Sequence, residues 1–280
     1  MSRTLPLIAL ALIGLSAAFA PALGLEEKHP AKDVGFSFEG PFGTFDRAQV
    51  QRGYQVYKEV CSACHSMTLM RYRNLGEPGG PEFPPEQVKA IAAQYKVTDG
   101  PDASGNMFER PALPSDPFVK PFPNEAAARA ANGGALPPDL SLITKMRAGW
   151  SGRLLTLYTT QLIKGMGGPE YVYSVLTGYE EPPKELAAEA PEGKFYNPYF
   201  ENGHWIGMPP PLSDGAVTYA DGTKATVDQM ARDVSAFLAW AGEPKMEERK
   251  RIGFQVMVYL VVFAALLYLV KRRIWGRHEP

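Results

Sequence analysis

Cys61-Ser62-Ala63-Cys64-His65 constrains this chain more than any other stretch. It reads C-x-x-C-H, the attachment sequence for a c-type haem. Two thiols bond the porphyrin vinyl groups, and the adjacent imidazole reaches the iron from one face. One turn of backbone sets both sulfurs along one haem edge and delivers His65 beneath the ring. A structural zinc site needs four ligands, usually from two pairs, and Cys61 and Cys64 are the only cysteines in the chain. A thioredoxin-like pair would follow a strand and open a helix, whereas this pair closes a helical pattern. The chain is therefore expected to fold around one covalently bound haem c. Both thiols are used by it, and none is left for a disulfide.

The helical pattern that delivers the motif runs over 46–61. Asp46 can cap it, with Gln49 completing a capping box. Val50, Tyr54, Tyr57 and Cys61 form one apolar stripe. Gly53 inside this helix costs about 1 kcal/mol against Ala; it marks either a close helix crossing or a tolerated defect. A second strong pattern runs over 226–241, with Thr226 and Gln229 as capping box. Its inner face is Val227, Met230, Val234, Phe237, Leu238 and Ala241. Over the whole chain, 27 glycines and 26 prolines in 280 residues point to a loop-rich, mainly helical domain. A helix starts at Pro85 with Val88, Ile91 and Tyr95 inward. An extended wrap covers Thr98 to Pro123, where Pro111, Pro114, Pro117, Pro121 and Pro123 forbid a long helix. Asn124 caps a short helix that stops at Gly133-Gly134. Pro137-Pro138-Asp139-Leu140 is expected to begin a helix carrying Leu140, Ile143 and Arg147. Leu154 to Ile163 is another helical segment. A third follows Gly167-Gly168-Pro169-Glu170, burying Tyr171, Val172, Val175 and Leu176. Residues 179–201 are a loop with six glutamates against two lysines. It is solvated surface or a docking face for a basic partner.

The two ends read as membrane signals. Residues 1–24 have a basic start, an apolar run and small-residue cleavage sequences, with cleavage after Ala20 or Gly24. Ile252 to Val270 are nineteen residues without a charge. At 1.5 Å each they reach about 28 Å, close to the hydrocarbon thickness of a bilayer. Lys271-Arg272-Arg273 and Trp275 follow at the membrane–water boundary. Arg249-Lys250-Arg251 make the upstream flank basic too, so the export signal sets the orientation. The domain plan is a signal (1–24), an exported haem domain (25–245), and an anchor with a short cytoplasmic tail (246–280, span about 252–270). This places the protein in a bacterial inner membrane, in contact with lipid, single-pass, with its haem domain in the periplasm. Charge is balanced, 29 basic against 30 acidic residues, which gives no pull toward nucleic acid.

The second face of the iron decides the chemistry. An open face favours ligand binding or peroxide chemistry; a methionine there favours electron transfer and raises the potential. Met208 is the leading candidate. It sits in Trp205-Ile206-Gly207-Met208-Pro209-Pro210-Pro211, a non-helical loop stiffened by three prolines. Met166, His204 or an open face are the alternatives, and an open face would make the chain a membrane-anchored haem sensor or peroxidase.

The chain resembles the cytochrome c1 family, in its alphaproteobacterial form. The likeness runs through Phe36-Ser37-Phe38-Glu39-Gly40-Pro41-Phe42, the haem sequence, Gly79-Gly80-Pro81 and Pro138-Asp139-Leu140-Ser141. It continues through Gly167-Gly168-Pro169-Glu170-Tyr171, Met208-Pro209-Pro210, Asp228-Gln229-Met230 and Tyr268-Leu269-Val270-Lys271-Arg272-Arg273. The resemblance implies a mainly α, class I cytochrome c-like haem domain with loop insertions and a C-terminal transmembrane helix. It implies thioethers at Cys61 and Cys64, axial ligands His65 and Met208, and Arg147 near a haem propionate. Pro138 and Leu140 would line the pocket. It further implies a bc1 complex containing cytochrome b and a Rieske iron–sulfur protein, with a soluble or anchored cytochrome c as electron acceptor and no catalysis by this subunit alone. Several bacterial relatives carry a second cysteine pair that braces the methionine loop; this chain has none.

Overall fold

The computed structural model describes residues 29–147, 149, 160, 164–188 and 190–276. The expected export signal, nearly all of the helix expected over 154–163, and the last four residues lie outside them.

Two helices cross at the centre. The first, α1 (Arg47–Glu59), starts where the Gln49 N–H donates to the Asp46 carboxylate at 3.2 Å. The other central helix, α7 (Val227–Gly242), starts where the Gln229 N–H donates to the Thr226 hydroxyl at 3.1 Å. Gln229 does not close the expected capping box; its amide donates to Asp233 instead. Val50, Tyr54 and Tyr57 of α1 are buried, and the two tyrosine rings each lie 5.7 Å from Phe237 of α7. Gly53 explains how close the helices come. A Cβ there would stand 2.0 Å from the Asp233 carbonyl oxygen. Gly53→Ala gains about 1 kcal/mol of helix propensity, but a backbone oxygen cannot swing aside. The variant is expected to lose about 2 kcal/mol, read as a lower denaturation midpoint. An unchanged midpoint would mean the helices separate freely.

Shorter elements pack around this crossing. They are α2 (Pro85–Ala92), α3 (Glu125–Ala131, capped by Asn124), α4 (Ile143–Met146), α5 (Gly168–Leu176) and α6 (Lys184–Ala187). Helix α4 is tied to α7 by the Thr144 hydroxyl donating to the Leu238 carbonyl at 3.2 Å. Four expectations need correction. Residues 137–142 are not helical, because the Pro138 carbonyl and Asp139 carboxylate are turned to the 65–68 segment; α4 is only four residues long, and Arg147 follows it in extended backbone. The wrap over 98–123 contains a hairpin, β1 (Lys96–Asp99) against β2 (Phe108–Pro111), with Lys96 opposite Pro111. Its turn is set by Asp102, whose carboxylate accepts from the N–H groups of Ser104 and Asn106. The acidic loop contains half of a second, two-residue ladder, β3 (Phe195–Tyr196) against β4 (Trp205–Ile206). Helix α5 buries Tyr171 and Val175 as expected, but Tyr173 and Ser174 rather than Val172 and Leu176.

Glu170 of α5 is 1% exposed. Burial, with Glu39 and Asp33 close by, pushes its carboxyl up to about 8 from the ordinary 4.5. Between those values the folded chain holds a proton that the unfolded chain releases, so this group's stabilisation is lost as pH rises through the window. Glu170→Gln keeps the shape and should flatten the fall of melting temperature from pH 5 to pH 8. A slope the substitution leaves untouched would contradict this.

Helix α8 (Met246–Trp275) is thirty residues long, and its apolar stretch is exposed, enough by length and composition to cross a membrane. Its foot is bolted to the domain. Glu247 accepts two bonds from Arg47, at 2.7 and 2.8 Å, and one from the Phe45 N–H at 2.8 Å.

Candidate haem site

Helix α1 ends at Glu59, and Cys61–Ala63 make one 3-10 turn. The N–H groups of Cys64 and His65 both donate to the Cys61 carbonyl, at 3.1 and 2.9 Å. One turn thus carries both thiols and the imidazole. Cys61 packs against the core and Cys64 is exposed. Burial pushes the Cys61 thiol up to about 12. The His65 Nδ1 lies 2.8 Å from the Pro138 carbonyl oxygen. A carbonyl only accepts, so Nδ1 carries the proton and Nε2 keeps its lone pair. Burial lowers the His65 pKa, against the opposing pull of that bond and of Asp139, which favours the neutral ring that a metal needs.

The segment under His65 is latched in place. The Leu140 N–H donates to the Ser66 carbonyl at 2.8 Å. The Asp139 carboxylate accepts from the Ser66 hydroxyl, the Thr68 N–H and the Ser141 N–H, all within 2.9 Å. Burial alone would raise its pKa, but these bonds hold it below the ordinary carboxylate value. The resemblance places Asp139 in the segment expected to line the pocket but gives it no latching role; an Asp followed two residues on by Ser, beside Pro138, is the turn signal that marks one.

Met208 follows β4 and is half-buried against Tyr171, Val175 and Ile206. The Tyr179 hydroxyl donates to its carbonyl at 3.0 Å. Nothing in the sequence pattern marks Tyr179, yet it and the β3–β4 ladder brace the loop where a cysteine pair is absent. A Cβ at Gly207 would stand 3.2 Å from the Ala135 Cβ. Ala135 is three residues before Pro138, so the Met208 and His65 segments touch opposite ends of a stretch spanning at most about 11 Å. Leu136 in that stretch keeps 36% of its surface exposed and Leu142 keeps 40%. Uncovered apolar surface beside a prepared imidazole and two thiols suits a flat apolar cofactor. The residues present fit a haem.

The other candidates lie elsewhere. Arg147 pairs with Glu201 at 3.5 Å, in the neighbourhood of Tyr171 and Met208 rather than under His65. Met166 is half exposed and lines a cleft at the foot of α8. His204 has a left-handed backbone and its ring lies among those of Tyr196 and His29. Among the described residues no group of three or more His, Cys, Asp or Glu is arranged to hold a metal ion.

Comparison with known proteins gives the same reading. The Cytochrome C1 family profile matches residues 36–278. Cytochrome c1 of Cereibacter sphaeroides is 47% identical over 294 aligned residues, covering 99% of this chain and 96% of that protein. A mitochondrial cytochrome c1 heme protein of Arabidopsis thaliana is 43% identical, covering 97% of this chain and 81% of that one. The cytochrome b/c1 protein of Bradyrhizobium diazoefficiens is 50% identical over 96% of this chain, which spans only 39% of that longer relative. A haem motif seated on one turn, an apolar anchor helix and identity along nearly the full length converge, and the chain belongs to the cytochrome c1 family.

Proposed function

We propose that the chain is the haem-carrying electron-transfer subunit of a bc1-type quinol–cytochrome c reductase, without catalysis of its own. The observation that carries this is the His65 Nδ1 contact with the Pro138 carbonyl, made on the turn that bears Cys61 and Cys64. Haem c, when bound, supplies a one-electron couple. Cys61 and Cys64 would hold it as thioethers, and His65 and Met208 would be the residues that bind its iron. Pro138 fixes the His65 tautomer, Leu140 would close the pocket, and Arg147, steadied by Glu201, would meet a propionate. With both residues bound to it, the group would pass single electrons and take up no further ligand.

In this reading a Rieske iron–sulfur protein is the donor and a cytochrome c the acceptor, with cytochrome b beside the anchor. Glu180, Glu181 and Glu185 are exposed and form the acceptor's docking face. Residues 1–24 direct export, residues 25–245 form the periplasmic domain, and residues 246–280 anchor it with a cytoplasmic end. Gentle solubilisation is expected to co-isolate the chain with b-type haem and an iron–sulfur protein. Quinol should then reduce haem c in the assembly and not in the separated subunit. A chain that purifies alone from native membranes, with no quinol-dependent reduction, would overturn the assignment.

A further inference from the structure

A cleft of about 320 Å³ opens where the globular domain meets α8, away from the haem motif. Its walls include Phe38, Lys145, Met166, Met246, Arg249 and Lys250. That volume lies at the small end of ligand sites.

Its depth follows from the chain. Lys250 stands two residues before Ile252, the first residue of the uncharged span, or about 3 Å along the helix. Phe42, next to the cleft rim at Pro41, is 73% exposed. Its ring packs edge-on against Phe254, the third residue of the span, with centroids 5.6 Å apart. A bare aromatic ring leaning on the start of a membrane helix sits at the bilayer interface. The cleft therefore opens at the level of the lipid headgroups.

Its charge is positive. Glu243 bridges two cations, Lys145 and Arg249, so one carboxylate serves two positive groups. The Lys250 ammonium donates to the carbonyls of Phe38 at 2.7 Å and Gly43 at 3.0 Å. Among the described residues no carboxylate lies within ion-pair distance of it. Two carbonyls use two of its three donors and do not neutralise it. Glu39, the other acid on the wall, is turned to accept the Phe36 N–H at 2.7 Å.

We propose that this cleft binds the phosphate headgroup of one anionic phospholipid from the leaflet on the haem-domain side, with Lys250, Lys145 and Arg249 as its charged contacts. The acyl chains would lie along the apolar start of α8 beside Phe254 and Phe42. The lipid would then join the globular domain to its anchor at the point where Arg47 and Glu247 already clamp them.

Full-length, haem-loaded protein is delipidated in detergent and titrated separately with phosphatidylglycerol, phosphatidylcholine and inorganic phosphate. Bound molecules are counted by native mass spectrometry. One phosphatidylglycerol per chain is expected to bind about tenfold or more tightly than phosphatidylcholine. The double variant Lys145→Gln/Lys250→Gln should lose that preference, whereas Lys250→Arg should keep it and guard against a mere folding defect. An unchanged haem spectrum in each variant checks that the domain is intact. Equal affinity in wild type and double variant would overturn the site, as would complete displacement of the lipid by inorganic phosphate. A photoreactive side chain in place of Met166 should label lipid in native membranes. Labelling of a polypeptide instead would make the cleft a subunit interface and reject the proposal.

Discussion

Met208→Leu is expected to lower the reduction potential of the haem on the order of 0.2 V, part of the ~0.8 V range that axial ligands span, and to open the iron to carbon monoxide. Leucine keeps the volume and apolar character that Tyr171, Val175 and Ile206 pack against, so the loop should stay in place. The Tyr179 bond is to the Met208 backbone and survives the change. Only the thioether is lost. A redox titration and a carbon monoxide difference spectrum read the two effects. A variant that still excludes carbon monoxide at wild-type potential would remove Met208 as the ligand. It would return Met166 or His204 to consideration.

Cys61→Ala/Cys64→Ala is expected to abolish covalent haem altogether, with no haem stain on the polypeptide after denaturing electrophoresis. The single variants should each keep one thioether and a shifted pyridine haemochrome band. The effect on folding should also be large. Without the cofactor, Leu136, Leu142 and the face of the Cys61 turn present apolar surface to water, at about 25 cal/mol per Å². The expected outcome is low yield of the exported domain. Normal covalent haem in the double variant would contradict the whole account.

How legible the fold was depended on how each segment satisfies itself. Helices α1 and α7 carry continuous apolar stripes and capping side chains, and their ends fall within one or two residues of expectation. For Gly53 the pattern left a close crossing and a tolerated defect both open, and the Asp233 carbonyl oxygen, 2.0 Å from where a Cβ would stand, decides for the crossing. The anchor was legible from length and apolarity alone. The β1–β2 hairpin was not, since all eight of its residues are at least partly exposed and each strand is only four residues long. The β3–β4 ladder is too short to show a period. The failed helix at Pro137–Leu140 is the instructive case. Local propensity allowed it, but the Pro138 carbonyl and the Asp139 carboxylate are used on His65, Ser66 and Thr68. A tertiary demand at the site overrode the local signal. The same latch shows what the motif alone could not say. C-x-x-C-H names the ligand, while the tautomer is set by a residue seventy-three positions away.

The most direct test of the central claim is an optical spectrum of the purified full-length protein, oxidised and reduced. The account predicts a low-spin c-type spectrum, with the weak long-wavelength charge-transfer band of a methionine sulfur on ferric iron and no change on adding carbon monoxide. A high-spin ferric spectrum, or a reduced form that binds carbon monoxide at once, would contradict it and favour an open, ligand-binding haem.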